Sequence, residues 1–150
     1  MSQTGLEVFD RTVQTTNIWL NEIMEVIGPD RHNALHALRA VLHPLRDRLP
    51  LQEAVHLGAQ LPLLVRGVYY ENWRPQVNPT PIRHQHEFLE RVQVGLERSR
   101  PIDVKDVVQA VLKVLDHHVD PGEIEQVKHS LPAGLQVLFP DHDTAPRRPH

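Results

Sequence analysis

Residues 38–69 read LRAVLHPLRDRLPLQEAVHLGAQLPLLVRGVY, and residues 108–139 read VQAVLKVLDHHVDPGEIEQVKHSLPAGLQVLF. The two stretches overlay without a gap at a shift of 70. Ala40/Ala110, Val41/Val111, Leu42/Leu112, Leu45/Leu115, Glu53/Glu123, Leu61/Leu131 and Pro62/Pro132 are identical. Leu38/Val108, Leu49/Val119, Leu57/Val127, Val65/Leu135, Val68/Leu138 and Tyr69/Phe139 keep apolar character. Leucines and valines three and four residues apart place one apolar stripe along a helix. The matches fall on helix starts and on inferred buried faces together. The sequence therefore predicts an all-α fold of two pseudo-repeated helical bundles, about seven or eight helices in all, packed into one compact unit.

Start and stop signals extend this reading outward. Thr4 and Glu7 have capping-box spacing, which places the first helix start near Gly5. Apolar spacing from Leu6 to Ile27 carries that helix on, and Gly28-Pro29 ends it. Thr15 and Thr16 weaken its middle, because β-branching limits rotamers there. Trp19 falls among its expected core residues. Asp30 is the expected cap of a second helix running to about Arg48, with a kink at Pro44, which removes the bond to the Ala40 carbonyl. A third helix runs from Pro50 to about Gln60 and a fourth from Pro62 to about Tyr70. Further helices are expected over 85–98, from Asp103 to about 118, from Asp120-Pro121, and briefly after Ser130-Leu131-Pro132. The domain plan is an N-terminal half over 1–70, a Pro- and Asn-rich linker over 71–83, a C-terminal half over 84–139 and a disordered tail over 140–150.

Composition bounds the function. Of 150 residues, 40% are apolar and 23% charged, and the net charge is −3. That balance points away from nucleic acid, whose readers carry a basic stripe. The chain has no cysteine, which excludes thiol catalysis and cysteine-based zinc sites. No leader pattern or membrane-spanning run is read, so the expected place is the cytoplasm, with no membrane partner. The chain holds 13 prolines and 11 histidines but only three Phe, two Tyr and two Trp.

Three stretches carry a family resemblance: Leu45-Arg46-Asp47-Arg48-Leu49-Pro50, Ala59-Gln60-Leu61-Pro62-Leu63-Leu64-Val65-Arg66-Gly67-Val68-Tyr69-Tyr70-Glu71-Asn72-Trp73, and His118-Val119-Asp120-Pro121-Gly122-Glu123. With Thr15–Leu20 and Glu87–Val92, they resemble a bacterial, often actinobacterial, family of small helical proteins catalogued as a domain of unknown function. The resemblance covers about residues 6–140. It implies an all-α cytosolic protein and carries no activity, cofactor or catalytic residue to transfer. Pro44 departs from the family pattern.

The candidate sites follow from residue chemistry. Arg66, Tyr69, Tyr70, Trp73 and Arg74 form the densest aromatic and basic cluster in an aromatic-poor chain. Tyr, Trp and Arg dominate interface hot spots, so the cluster is read as a partner or ligand surface, or as the seam between the halves. His32, His36 and His43 fall within about 40° of one another on a helix. They are the candidate metal face, although Arg39 lies among them and the face points to solvent. His117 and His118 sit at a helix C-terminus, where the dipole favours a charged ring. Arg39, Arg46 and Arg48 with Asp47 read as surface ion pairs. No nucleophile elbow, phosphate loop or zinc-protease motif occurs, so the chain is read as no enzyme and as needing no cofactor. The expected function is a non-catalytic protein-interaction module, binding an unknown protein partner or its own copy. The alternative is a small-ligand or metal-binding protein that uses a pocket between the halves or the histidine face.

Overall fold

A computed structural model describes residues 5–97 and 101–141. Among these residues it is all-helical: α1 (Glu7–Ile27), α2 (Arg31–Arg48), α3 (Leu51–Ala59), α4 (Leu63–Tyr70), a 3-10 turn (Pro75–Val77), α5 (Gln85–Gly95), α6 (Val104–His118), α7 (Pro121–His129) and α8 (Ala133–Gln136). No described helix is long and apolar enough to cross a membrane.

The helix ends obey the local signals. Asp30 accepts from the Asn33 N–H at 3.1 Å, and Asp103 from the Lys105 N–H at 2.8 Å. Asp120 accepts from both Gly122 and Glu123 N–H. Each carboxylate thus satisfies donors that a helix start leaves unpaired. The first helix differs from expectation. It begins at Glu7 with Leu6 at the cap and no side-chain cap bond, and Thr4 lies outside the described residues. It also runs unbroken through Thr15 and Thr16; the Thr16 hydroxyl donates to the Thr12 carbonyl one turn back. α2 likewise continues past Pro44 to Arg48.

Helices α2–α3–α4 and α6–α7–α8 run in the same order: the ends of α2 and α6, both ends of α3 and α7 and the starts of α4 and α8 lie 70 residues apart, while α6 starts later than α2 in that register and α8 stops after one turn. The turns between them share backbone angles. Leu49 (φ −72°, ψ 150°) matches Val119 (−81°, 146°), and Gln60 (−85°, −10°) matches Ser130 (−83°, −4°). Pro62 (−57°, 154°) matches Pro132 (−59°, 153°). The same register governs burial: Leu42 and Leu112, Leu45 and Leu115, Leu57 and Val127, Tyr69 and Phe139 are all buried.

One core serves the whole chain. α1 packs on α6 and α2, and α2 packs on α5, α6 and α4. Trp19, Ile23, Leu38, Leu42, Phe88 and Leu112 belong to the same buried cluster. Each fully buried leucine or isoleucine contributes about 1.5–3 kcal/mol of transfer free energy. α5 reaches α2 closely because Gly95 has no side chain. A Cβ there would lie 3.0 Å from the Ala40 Cβ and 3.2 Å from its Cα.

Segment 71–83 is not a free spacer. Asn72 takes a φ of 55°, a left-handed turn that a short polar residue tolerates, and swings the chain off the end of α4. Asn78 then donates to the carbonyls of Arg46 (2.6 Å) and Leu49 (2.9 Å), Thr80 N–H donates to the Asp47 carbonyl, and Ile82 is buried. The segment therefore caps the C-terminal end of α2.

Arg46 corrects the surface reading of the arginine group. Its residue is only 3% exposed. Its Nη1 donates to the carbonyls of Tyr69 (2.7 Å) and Glu71 (2.9 Å), and its Nε to Asp47 at 2.8 Å. The end of α4 leaves these carbonyls without helical donors, and a buried guanidinium supplies them. Arg46→Met should leave both carbonyls unpaired, at about 1–3 kcal/mol each, and lower the melting temperature by roughly 10 °C; calorimetry checks it. Gly58 gives a second test. A Cβ there would stand 2.2 Å from the Tyr70 hydroxyl and 2.6 Å from its Cζ. Gly58→Ala should cost about 1–3 kcal/mol by overpacking and dislodge the Tyr70 ring, which the near-ultraviolet circular dichroism spectrum reports.

Candidate functional site

Packing of α1 on α6 brings the second half of α1 over the last turn of α6. Trp19 and Glu22 lie three residues apart on α1 and so share a face. Trp19, 1% exposed, stacks on the His118 ring with centroids 5.3 Å apart and planes 17° apart. Glu22 meets the other edge of the pair. His117 Nδ1 donates to Glu22 Oε1 at 2.6 Å, and His118 Nε2 donates to Glu22 Oε2. The two histidine rings are themselves 4.4 Å apart.

Three ligand-type groups thus converge. One carboxylate oxygen and two imidazole nitrogens lie within 4.8 Å of one another. Burial works against the Glu22 carboxylate, but the hydrogen bonds from His117 and His118 outweigh it and hold its pKa below the usual carboxylate value. Glu22 is therefore an anion ready to accept a cation. Two histidines and a carboxylate suit zinc and neighbouring transition metals, which take imidazole at about 2.0–2.1 Å and carboxylate oxygen at about 2.0–2.2 Å. The rings that now donate protons would present lone pairs through the other tautomer. Trp19 sets the orientation of His118, the part an outer-shell group plays around a metal ligand.

An open cleft of about 700 Å³ adjoins the histidines. Gln60 forms one wall, and Asp116, His117, His118, Val119, Asp120, Pro121 and Gly122 form the other. A metal held by three protein groups here would keep a position open toward that cleft, room for water or an oxygen ligand.

The aromatic cluster expected from sequence is largely turned inward. Tyr69 is 0% exposed, and its hydroxyl donates to the Ala54 carbonyl at 2.6 Å. Burial pushes its pKa far above the ordinary tyrosine value. Arg66 donates to the carbonyls of Gly58, Ala59 and Leu61, closing the C-terminal end of α3. Tyr70 meets the Tyr69 ring edge-on and stacks on Trp73. Trp73 Nε1 donates to Asn78, and Arg74 is exposed at the start of the 3-10 turn. These residues do come together, and they tie α3, α4 and segment 71–83 into one unit.

The His32, His36 and His43 face is dispersed. His32 is exposed and His36 half-buried. His43 points toward α4, with Nε2 2.7 Å from the Val68 carbonyl, and burial lowers its pKa. Arg39 pairs with Glu71 at 3.0 Å. The three rings do not form a ligand group among the described residues.

Sequence reasoning placed His117 and His118 at a helix end but gave them no partner. Glu22 lies 95 residues away from His117. The adjacent histidine pair was the visible signal; the face of α1 that would meet it was not visible.

Comparison with known proteins gives a family and nothing finer. The model of an uncharacterized conserved family (DUF2267) matches residues 16–138. No curated protein matches the chain.

Proposed function

The chain belongs to the DUF2267 family, and on that premise we propose that it is a non-catalytic bacterial cytosolic domain that binds one divalent transition-metal ion between α1 and α6. Glu22, His117 and His118 are the ligands. The observation that carries this reading is the convergence of those three donor groups within 4.8 Å beside an open cleft. The proposal keeps the metal-binding function foreseen as an alternative but moves it from the His32/His36/His43 face to the joint of two helices. A metal there would bridge residues nearly a hundred positions apart. It would therefore stabilise the packed state by mass action, in proportion to its concentration over its Kd.

A second reading keeps the interaction module. It finds support in exposed apolar side chains, Phe9 and Val13 on α1 and Leu63 and Leu64 on α4. α1 and α4 pack together, and the Leu64 N–H donates to the Thr12 hydroxyl oxygen. These residues are a better partner surface than the inward-turned Tyr69. On this reading Leu64→Glu should weaken self-association or partner capture in sedimentation experiments without loss of helicity.

For the metal, isothermal titration of untagged protein with zinc, nickel and copper is the test. One ion per chain at micromolar affinity or better is expected. Glu22→Gln and His118→Ala should each weaken it by at least about tenfold, the loss that even an outer-shell change typically brings. The His32→Ala/His36→Ala/His43→Ala variant should bind as the parent does. Affinity should fall on acidification, since protons compete for the same nitrogens. Absence of stoichiometric binding at neutral pH would overturn the reading.

A further inference from the structure

A second cluster of titratable groups lies where α3 meets α7. Glu53 is the third residue of α3 and Glu123 the third residue of α7. Each carboxyl acts on the other across the contact between the two helices. Oε1 of Glu53 and Oε1 of Glu123 are both buried, and neither has a donor among the described residues. Only 13% of the Glu53 side chain is accessible. Two ionised carboxylates cannot hydrogen-bond, since both only accept. In contact and out of water they also repel. One proton between them resolves both conditions.

We propose that Glu53 and Glu123 are a proton-sharing latch that fastens α3 to α7 and loosens when the shared proton is lost. The groups around the latch are few. His56 Nδ1 is 3.8 Å from Glu53 Oε2 on α3. Asp120, at the cap of α7, adds negative charge near Glu123. Tyr69 of α4 feels the Glu53 charge but spends its hydroxyl on Ala54. α8 carries no titratable side chain, and His117 and His118 of α6 face Glu22. His56 is the only cation source among these, and it is more than half accessible to water. It does not replace the proton.

The latch also has a place in the architecture. Gln60 follows α3 and forms one wall of the 700 Å³ cleft, while Pro121 and Gly122 of α7 form part of the other. Loosening α3 from α7 would part those walls. The latch itself stands whether or not the cleft holds a metal.

Desolvation, followed by contact with Glu53, raises the pKa of Glu123 from 4.5 to about 7. The native state therefore binds more protons than the unfolded chain between those values. The latch contributes fully below the unfolded value and is lost as pH rises through the folded one.

Thermal unfolding between pH 5 and 9, with EDTA present to keep metal out, tests this. The parent should lose melting temperature through neutrality. Glu123→Gln, whose amide donates to Glu53 without titrating, should lose less and exceed the parent by at least about 3 °C at pH 8.5. Glu53→Gln should behave alike, which covers the case in which one variant fails to fold. Carboxyl-carbon NMR of the parent should show two coupled titrations, one of them near neutrality. Parallel pH profiles for parent and variants, or both carboxyls titrating at ordinary values, would overturn the latch.

Discussion

The fold hangs on a buried cation at the end of α2. Arg46 offers its fork of N–H groups to the Tyr69 and Glu71 carbonyls, while its own carbonyl accepts from Asn78. Donors and acceptors of three segments are thereby satisfied at one place. A lysine would not serve, since it carries a compact ammonium rather than a planar set of five donors. The Trp73 ring lies 6.0 Å from the guanidinium carbon, and its indole N–H holds Asn78 in position to cap α2. Remove the charge and the end of α4, the end of α2 and segment 71–83 all lose their closure together. That mutual dependence explains why the aromatic cluster is turned inward: its rings roof a buried charge.

Much of this was legible in the chain because helix boundaries are set locally. Asp30, Asp103 and Asp120 each announce a helix through their own side chains, and Pro62 and Pro132 start helices whatever lies beyond. Position along the stripe also told more than residue type did. Arg46 follows Leu42 by four and precedes Leu49 by three, so its spacing put it on the buried face. Its charge argued for the surface, and that argument failed because charge at a buried position is tolerated when hydrogen bonds satisfy it. The start of α1 was read from the Thr4/Glu7 spacing, and the helix begins instead at Glu7, with Leu6 at the cap and no side-chain cap bond there.

The site was less legible, and the cause is geometric. A helical wheel shows which residues share a face but not which helix that face will meet. Glu22 is a solvent-type residue on its own helix. It meets the two imidazoles only because Trp19, one turn earlier, is drawn into the core against His118 and carries the carboxylate with it. The placement of Glu22 is thus a by-product of burying an indole. The same holds for Glu53 and Glu123. Each is an ordinary acidic residue in the first turn of a short helix, where the macrodipole favours a negative charge. Only the meeting of α3 and α7 makes the two compete.

Glu22 and Glu123 show what decides the state of a carboxyl in this protein. Burial opposes ionisation of both. Glu22 faces two imidazoles that donate hydrogen bonds, so the anion wins and its pKa falls. Glu123 faces another carboxyl, with Asp120 adding negative charge, so the protonated form gains and its pKa rises. Desolvation acts in the same direction at both, and the difference comes from the neighbours' capacity to donate. One group is held toward the anion by its donors, and the other is pushed toward the protonated form by its neighbours. The cleft between Gln60 and the α6–α7 turn is lined by the histidines that hold Glu22 and by Gly122, which precedes Glu123. A change of pH through neutrality would act on one of its walls, and a metal ion on the histidines at the other.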